Sequence, residues 1–196
     1  MRYISSPDFH RDGAERIGIL LVNSGTPTSA EPREVRKFLR RFLGDPRVVE
    51  IPRALWLPIL YGFILPFRPA RSARKYRKIW TAYGSPLLDL SERLRSELTT
   101  TLSQNILAPL TVELGMLYSK PTVAEALGRL RESGAQRILV LPMFPQYCGA
   151  TTGAVCASKV FMRSTNTASV SSPRCIRAAP SKSHTPATLD AFEYIL

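Results

Sequence analysis

The chain has 196 residues, of which 44% are hydrophobic and 21% charged, so it is long enough to form one globular domain with a buried core. Its 27 basic residues outnumber its 15 acidic ones, and the net charge of +12 favours an anionic partner. The 3 cysteines form neither an even set nor a C-x-x-C pair, which argues against a disulfide framework and against a zinc or iron–sulfur site.

The first predicted element is a strand at residues 17–23. The polar loop Asn-Ser-Gly-Thr-Pro follows this apolar run directly, at residues 23–27. Such a change is typical of a buried parallel strand that is followed by a ligand-binding loop. A helix is predicted for residues 31–43, which carry apolar side chains at helical spacing and have Pro32 in the first turn. Doubly wound domains of many functions open in this way, so the pattern indicates a fold and not yet an activity.

The segment at residues 56–68, WLPILYGFILPFR, is too apolar for a solvated loop. We expect a helical lip that either covers an apolar ligand or touches a membrane. No membrane span is predicted, because Pro58, Gly62 and Pro66 interrupt the apolar stretch, which is far shorter than the roughly 20 residues that a span needs.

Two basic runs, at residues 33–41 and 68–78, carry many of the positive charges. No helix-turn-helix, zinc-finger or RNP-type aromatic motif accompanies them, so nucleic acid is not an expected partner. A solvated helix face is the simplest explanation of these runs, and a small anionic ligand or peripheral contact with an anionic membrane remains open. The polar N-terminus lacks the apolar core of a signal peptide, and we expect the chain to stay in the cytoplasm.

The remaining predicted elements alternate helix and strand. They are a helix at residues 88–102, a strand at 111–116, a helix that opens with a Thr122–Glu125 capping box and stops at Gly134, and a strand at 137–141. Two β-α-β steps predict an α/β fold with a doubly wound parallel sheet. The loops after its strands, at 23–27, 118–121 and 142–153, should line one crevice, and none of them has a phosphate-binding glycine motif.

Five segments carry a family resemblance. GILLVNSGTP, FLGDPRVVEIPRALWLPILYGFILPFRP, YRKIWTAYGSPLL, VELGMLY and ILVLPMFPQYCGATTGAV, in this order and at these spacings, closely resemble bacterial ferrochelatase. The resemblance implies one chelatase-like, Rossmann-like half of an enzyme whose two similar α/β halves clamp a porphyrin. It further implies a lyase of haem biosynthesis that inserts ferrous iron into protoporphyrin IX to form protohaem, with porphyrin and ferrous iron as substrates and no permanently bound cofactor.

The same resemblance divides the chain into three regions. We expect a polar N-terminal arm at residues 1–16, an N-terminal chelatase domain at 17–155 and a divergent tail at 156–196. The tail is dense in Ser, Thr and Ala where the family has an aromatic-rich helix, which indicates an altered reading frame or a decayed gene. We therefore expect the C-terminal half of the clamp to be absent.

The resemblance also implies substrate-binding positions, since a porphyrin is a flat apolar disc that needs an apolar slot with cations or hydroxyls at its rim. Ser24 matches a family position that lies over the macrocycle. Arg68, Tyr76 and Ser85 match positions that contact the porphyrin and its carboxylates, and Tyr118 matches one near the pocket. Four have structural alternatives as well: Arg68 as a surface cation, Tyr76 packed on Trp80, Ser85 as a helix cap and Tyr118 in the core.

No catalytic or metal-binding residue is predicted in this chain. Metal insertion requires a base that removes two pyrrole protons, and the family supplies it through a histidine motif and a glutamate that lie beyond the last residue of this sequence. His10 and His184 are expected to be surface residues. We therefore expect the chain alone to be inactive, with a non-catalytic porphyrin-binding or membrane-peripheral module as the alternative and a cobalt or nickel chelatase disfavoured by the motifs.

Overall fold

A three-stranded parallel sheet forms the centre of the molecule in the computed structural model, which describes residues 16–156. The strands are β1 (Ile17–Asn23), β2 (Leu110–Met116) and β3 (Arg137–Pro142), in the order β2-β1-β3. The register aligns Ile17 with Leu110 on one side and with Arg137 on the other. These observations confirm the three predicted strands and their parallel arrangement.

Helices connect and cover the strands. In chain order they are α1 (Pro32–Leu43), α2 (Arg53–Ile59), a π-helical turn (Leu60–Ile64), α3 (Leu65–Ile79), α4 (Pro86–Asn105), α5 (Val123–Glu132), a second π-helical turn (Gly149–Gly153) and α6 (Ala154–Cys156). The predicted arm and tail, with His10 and His184, lie outside the described residues apart from Arg16 and Cys156.

The two faces of the sheet pack against different helices. Alternate residues of a strand point to opposite faces, and Leu20 of β1 contacts the apolar side of α5, where Leu130 is fully buried. On the other face Leu21 packs in a cluster that includes Leu98 and Leu102 of α4. Because helices cover both faces, the sheet is doubly wound, as the sequence predicts.

Helix α5 begins and ends where the sequence signals place it. The hydroxyl of Thr122 accepts a hydrogen bond from the Glu125 amide at 3.2 Å, and the Glu125 carboxylate accepts one from the Thr122 amide at 2.8 Å. Gly134, just beyond the helix, has a φ of +78°, a conformation that favours glycine. The predicted capping box and C-terminal stop are confirmed.

The apolar segment forms a helical lip, which we define as Arg53–Ile79 and which comprises α2, the first π-helical turn and α3. The Trp56 indole donates to the Leu43 carbonyl at 2.8 Å and fixes the root of the lip to the end of α1. Leu60 and Leu65 are buried against α1, whereas Phe63 and Phe67 are exposed by 70% and 73%. Among the described helices, none combines the length and apolarity that crossing a bilayer requires.

One face of strand β3 lies open. Leu139 and Leu141 point to the side of the sheet that α4 covers on β1 and β2, yet 53% and 43% of their surface is exposed. The opposite face of the same strand, with Ile138 and Val140, is buried against the α5 layer. Within residues 16–156, the second layer of the fold therefore stops short of β3.

Candidate functional site

The loops that follow the three strands meet at the carboxyl edge of the sheet. The Leu117 amide donates to the Asn23 carbonyl and the Tyr118 amide to the Ser24 carbonyl, both at 3.0 Å, so β1 and β2 remain connected beyond their last paired residues. The Met143 amide donates to the Val22 carbonyl at 2.7 Å and connects the third loop in the same way. This edge is where an open α/β sheet builds a ligand site.

Three buried hydroxyl groups hold these loops to helix α4. The Thr26 hydroxyl donates to the Ser85 hydroxyl at 2.8 Å, and the Thr26 amide donates to the Ser119 hydroxyl at 3.1 Å. The three residues are only 5%, 6% and 7% exposed. Of the three, the sequence prediction includes Ser85 alone, because partners so distant along the chain leave no local pattern.

Gly25 permits the loop after β1 to lie close to Ser119 in the loop after β2. Its φ of +99° lies in the left-handed region, which glycine adopts without steric penalty. A Cβ at this position would overlap the Ser119 hydroxyl and lie 3.2 Å from the Met116 Cβ. The glycine in the Asn-Ser-Gly-Thr-Pro loop is therefore required by both backbone conformation and space.

Ser24, the residue predicted to lie over the macrocycle, sits at the start of this loop and is partly buried. The Asn23 side chain accepts from the Ser24 amide at 2.8 Å and from its hydroxyl at 3.4 Å. Asn23 thereby fixes the conformation of the first residue after β1. The role of Ser24 toward a ligand stays a prediction.

Arg68 and Tyr76 lie two helical turns apart on α3 and influence each other electrostatically. Partial burial lowers the pKa of Arg68, and the phenol of Tyr76 opposes that change. Burial raises the pKa of Tyr76, and the guanidinium opposes that change. Within residues 16–156, no carboxylate forms an ion pair with Arg68. A partly desolvated cation without a protein counter-ion is well placed for an anionic ligand.

Tyr76 also packs on Trp80, as its structural alternative proposed. Its ring meets that of Trp80 edge to face, with centroids 6.2 Å apart and planes at 83°. Ser85, in turn, occupies the cap position of α4, but its hydroxyl makes no capping bond and is engaged by Thr26 instead. Packing on Trp80 is thus present, and side-chain capping by Ser85 is absent among the described contacts.

Tyr118 belongs to the buried cluster beneath the lip. Its hydroxyl donates to a carboxylate oxygen of Asp45 at 3.1 Å, and its ring meets that of Phe42 edge to face at 5.3 Å. It also lines a cavity of about 360 Å³ together with Leu117 and Arg41. Core packing, one of the two alternatives raised for Tyr118, is therefore present, whereas its place near a porphyrin pocket stays a prediction. Asp45, which the sequence prediction missed, lies in the turn after α1.

The environment of Tyr118 predicts a pH dependence. Burial, followed by the charge of Asp45 and its hydrogen bond, raises the pKa of the phenol above its ordinary value. The unfolded chain thus releases this proton at lower pH than the folded one, so the free energy of unfolding should fall as the pH rises above about 10. Tyr118→Phe should reduce that fall, measured as urea unfolding at pH 8 to 11. Tyr83→Phe, at a tyrosine 79% exposed, should leave it unchanged, and equal slopes in all three proteins would contradict the assignment.

The crevice offers aromatic, hydroxyl and cationic groups but few acids. Within residues 16–156, no three His, Cys, Asp or Glu side chains cluster in a way that could hold a metal ion. Asp45 is occupied by Tyr118 and by Arg47, whose guanidinium lies 3.6 Å from it. The arrangement suits binding of an anionic, largely apolar ligand better than acid–base chemistry.

These features define a class, an open α/β ligand-binding domain with its site at the carboxyl edge of a doubly wound sheet and an apolar helical lip beside it. A family model described as Ferrochelatase matches residues 16–176, which is most of the chain. The chain belongs to the ferrochelatase family.

Curated relatives support the same family. The chain is 48% identical over 154 residues to a ferrochelatase of Thioalkalivibrio sulfidiphilus and 50% identical over 155 residues to one of Methylibium petroleiphilum. It is 45% identical over 139 residues to ferrochelatase 2 of Shewanella oneidensis. The first two alignments cover 79% of this chain and 42% of each relative. The chain thus matches only about two fifths of the length of these proteins.

Proposed function

We propose that this chain is the porphyrin-holding half of a ferrochelatase, and that it binds protoporphyrin IX without inserting iron by itself. Arg68 carries the proposal, because it is partly buried beside Tyr76 at an apolar lip and has no ion-pair partner among the described residues. A porphyrin carboxylate would supply the missing anion, and a guanidinium binds a carboxylate through two parallel hydrogen bonds.

The other predicted positions can contribute around that contact. Tyr76 and Ser85 offer hydroxyl groups to carboxylates at the rim. Ser24 stands at the end of the central strand, where it could lie over the face of a flat ligand. Tyr118 is bound to Asp45 and acts here as a wall of the site rather than as a donor to the ligand.

We infer that iron insertion needs chemistry that residues 16–156 do not provide. Ferrous iron replaces two pyrrole N–H protons, so the reaction releases two protons and requires a group that accepts them next to a distorted ring. The part of the chain that the structure describes contains no histidine, and both carboxylate oxygens of Asp45 already have partners. In the proposed assembly, the remaining length of the ferrochelatase fold supplies the proton acceptor and covers the open face formed by Leu139 and Leu141.

Titration of the chain with protoporphyrin IX, followed by the Soret band, tests the proposal. We expect saturable binding, no iron insertion under anaerobic ferrous conditions, and binding weakened about 10- to 100-fold by Arg68→Ala, since a charge-assisted hydrogen bond contributes roughly 1.5–3 kcal/mol. Arg74→Ala, an exposed arginine of the same helix, is the matched control and should bind like the unaltered chain. Absence of porphyrin binding would refute the binding role, and iron insertion by the chain alone would refute the division of labour.

A second candidate is a non-catalytic, membrane-peripheral module. The observation that favours it is the outer side of the lip, where Phe63, Phe67 and Tyr61 are exposed by 70%, 73% and 52%. Further along helix α3, after Phe67, lie exposed cations such as Arg71 and Arg74. Apolar side chains next to positive charge are suited to the interface of an anionic bilayer.

A further inference from the structure

Thr26 and Ser85 form a buried hydrogen bond that does not cap helix α4. Ser85 stands at the cap position of the helix, yet its hydroxyl caps no amide and instead accepts from the Thr26 hydroxyl at 2.8 Å. Both residues are more than nine-tenths buried, at 5% and 6% exposure. The pair joins the loop after β1 to the beginning of α4 at the carboxyl edge of the sheet.

The direction of this bond determines what Ser85 can still do. A serine hydroxyl accepts through its lone pairs and donates one hydrogen. Thr26 uses a lone pair of Ser85, and no group among residues 16–156 accepts the remaining Ser85 hydrogen. A buried hydroxyl donor without an acceptor is unfavourable unless a ligand or solvent satisfies it.

Thr26 itself is held firmly. Its amide donates to the buried Ser119 hydroxyl at 3.1 Å, and the preceding Gly25 has no room for a side chain against Ser119. The backbone of Thr26 is therefore held by the loops after two neighbouring strands, and its hydroxyl donates to Ser85 from that fixed position.

We infer that Thr26 is a positioning residue, whose hydroxyl holds Ser85 in the orientation that donates a hydrogen bond to a carboxylate of the bound porphyrin. The inference rests on the proposed porphyrin-binding function. Thr26 makes no contact with the ligand in this account and acts only through Ser85.

A double-substitution experiment on the full chain tests this inference with protoporphyrin IX and its dimethyl ester as probes. Thr26→Val, which keeps the shape and removes the hydroxyl, should weaken binding of the diacid about 3- to 10-fold, the effect of one hydrogen bond, and should leave ester binding unchanged. Thr26→Ser should bind like the unaltered chain. In the Ser85→Ala background, Thr26→Val should produce no additional loss.

Each alternative result has a defined meaning. Equal weakening of diacid and ester by Thr26→Val, or an additional loss in the Ser85→Ala background, would show that Thr26 only maintains the loop and would overturn the inference. An unaltered affinity of Thr26→Val would overturn it as well, while leaving the porphyrin-binding proposal intact. If the unaltered chain binds neither porphyrin, the proposed function and the inference both fail. Thr26→Ala provides a second hydroxyl-free variant if valine is not accommodated.

Discussion

Gly25→Ala is expected to destabilise the fold by about 2–4 kcal/mol, a large fraction of the stability of a small domain. The φ of +99° at this position disfavours any residue with a Cβ, and the new Cβ would overlap the Ser119 hydroxyl. Relief of the overlap would require the loop after β1 to move away from the loop after β2. Urea unfolding followed by circular dichroism measures the loss.

Gly84 provides a matched control for this substitution. Its φ is +98°, almost the same as that of Gly25, but a Cβ at Gly84 would meet nothing within 4 Å. Gly84→Ala should therefore show only the conformational penalty of about 1–2 kcal/mol. If the two variants lose the same stability, the close contact between Gly25 and Ser119 has no energetic weight.

Replacing Phe63 and Phe67 together by serine is expected to lower binding of the chain to anionic vesicles by roughly 30-fold or more. Both phenyl rings are mostly exposed in the described structure, and transfer of each ring into the bilayer interface contributes roughly 1–2 kcal/mol. Sedimentation with phosphatidylserine-containing vesicles measures the binding, which should also weaken as salt screens the cations of α3.

Leu107→Ser is the control for the lip. Leu107 is fully exposed, but it lies between α4 and β2, outside the lip. Its replacement should leave vesicle binding unchanged. Equal effects of the two substitutions, or no vesicle binding by the unaltered chain, would argue against the membrane-peripheral candidate and would leave the porphyrin proposal untouched.

The strands and the ends of α1 and α5 follow from local signals in the sequence. Within β1, Ile19 to Val22 are apolar without interruption because both faces of the central strand are covered, and that continuity marks a buried parallel strand. The capping box at Thr122 and the glycine at 134 act within a few residues of the helix that they delimit. Physical causes confined to so short a stretch are visible in the sequence alone.

The interior of the lip was less predictable. Its apolar content indicates a helix, but the π-helical turn at Leu60–Ile64 depends on how the chain adjusts before Pro66, which has no amide to donate and whose ring crowds the preceding turn. Which lip side chains point inward depends on α1, against which Leu60 and Leu65 pack. That choice is made by tertiary contacts.

In the candidate site, too, local features could be predicted from the sequence and long-range contacts could not. The sequence places three loops at one edge, which the structure confirms, but it cannot reveal that Thr26 bonds to Ser85 or that Tyr118 bonds to Asp45, since these partners are far apart in the chain. The five predicted substrate positions stay predictions. So do the domain boundaries, although the family match continues past Val155 to residue 176.

The order of the strands has a consequence for how the protein is made. β1 is the central strand and leaves the ribosome first, but its partners Leu110 and Arg137 are synthesised much later. At roughly 5–20 residues per second, an apolar strand stays unpaired for several seconds during translation. Contacts of such long sequence separation also slow folding itself. Nascent-chain recruitment of chaperones should therefore begin soon after β1 emerges and end once β3 has been made.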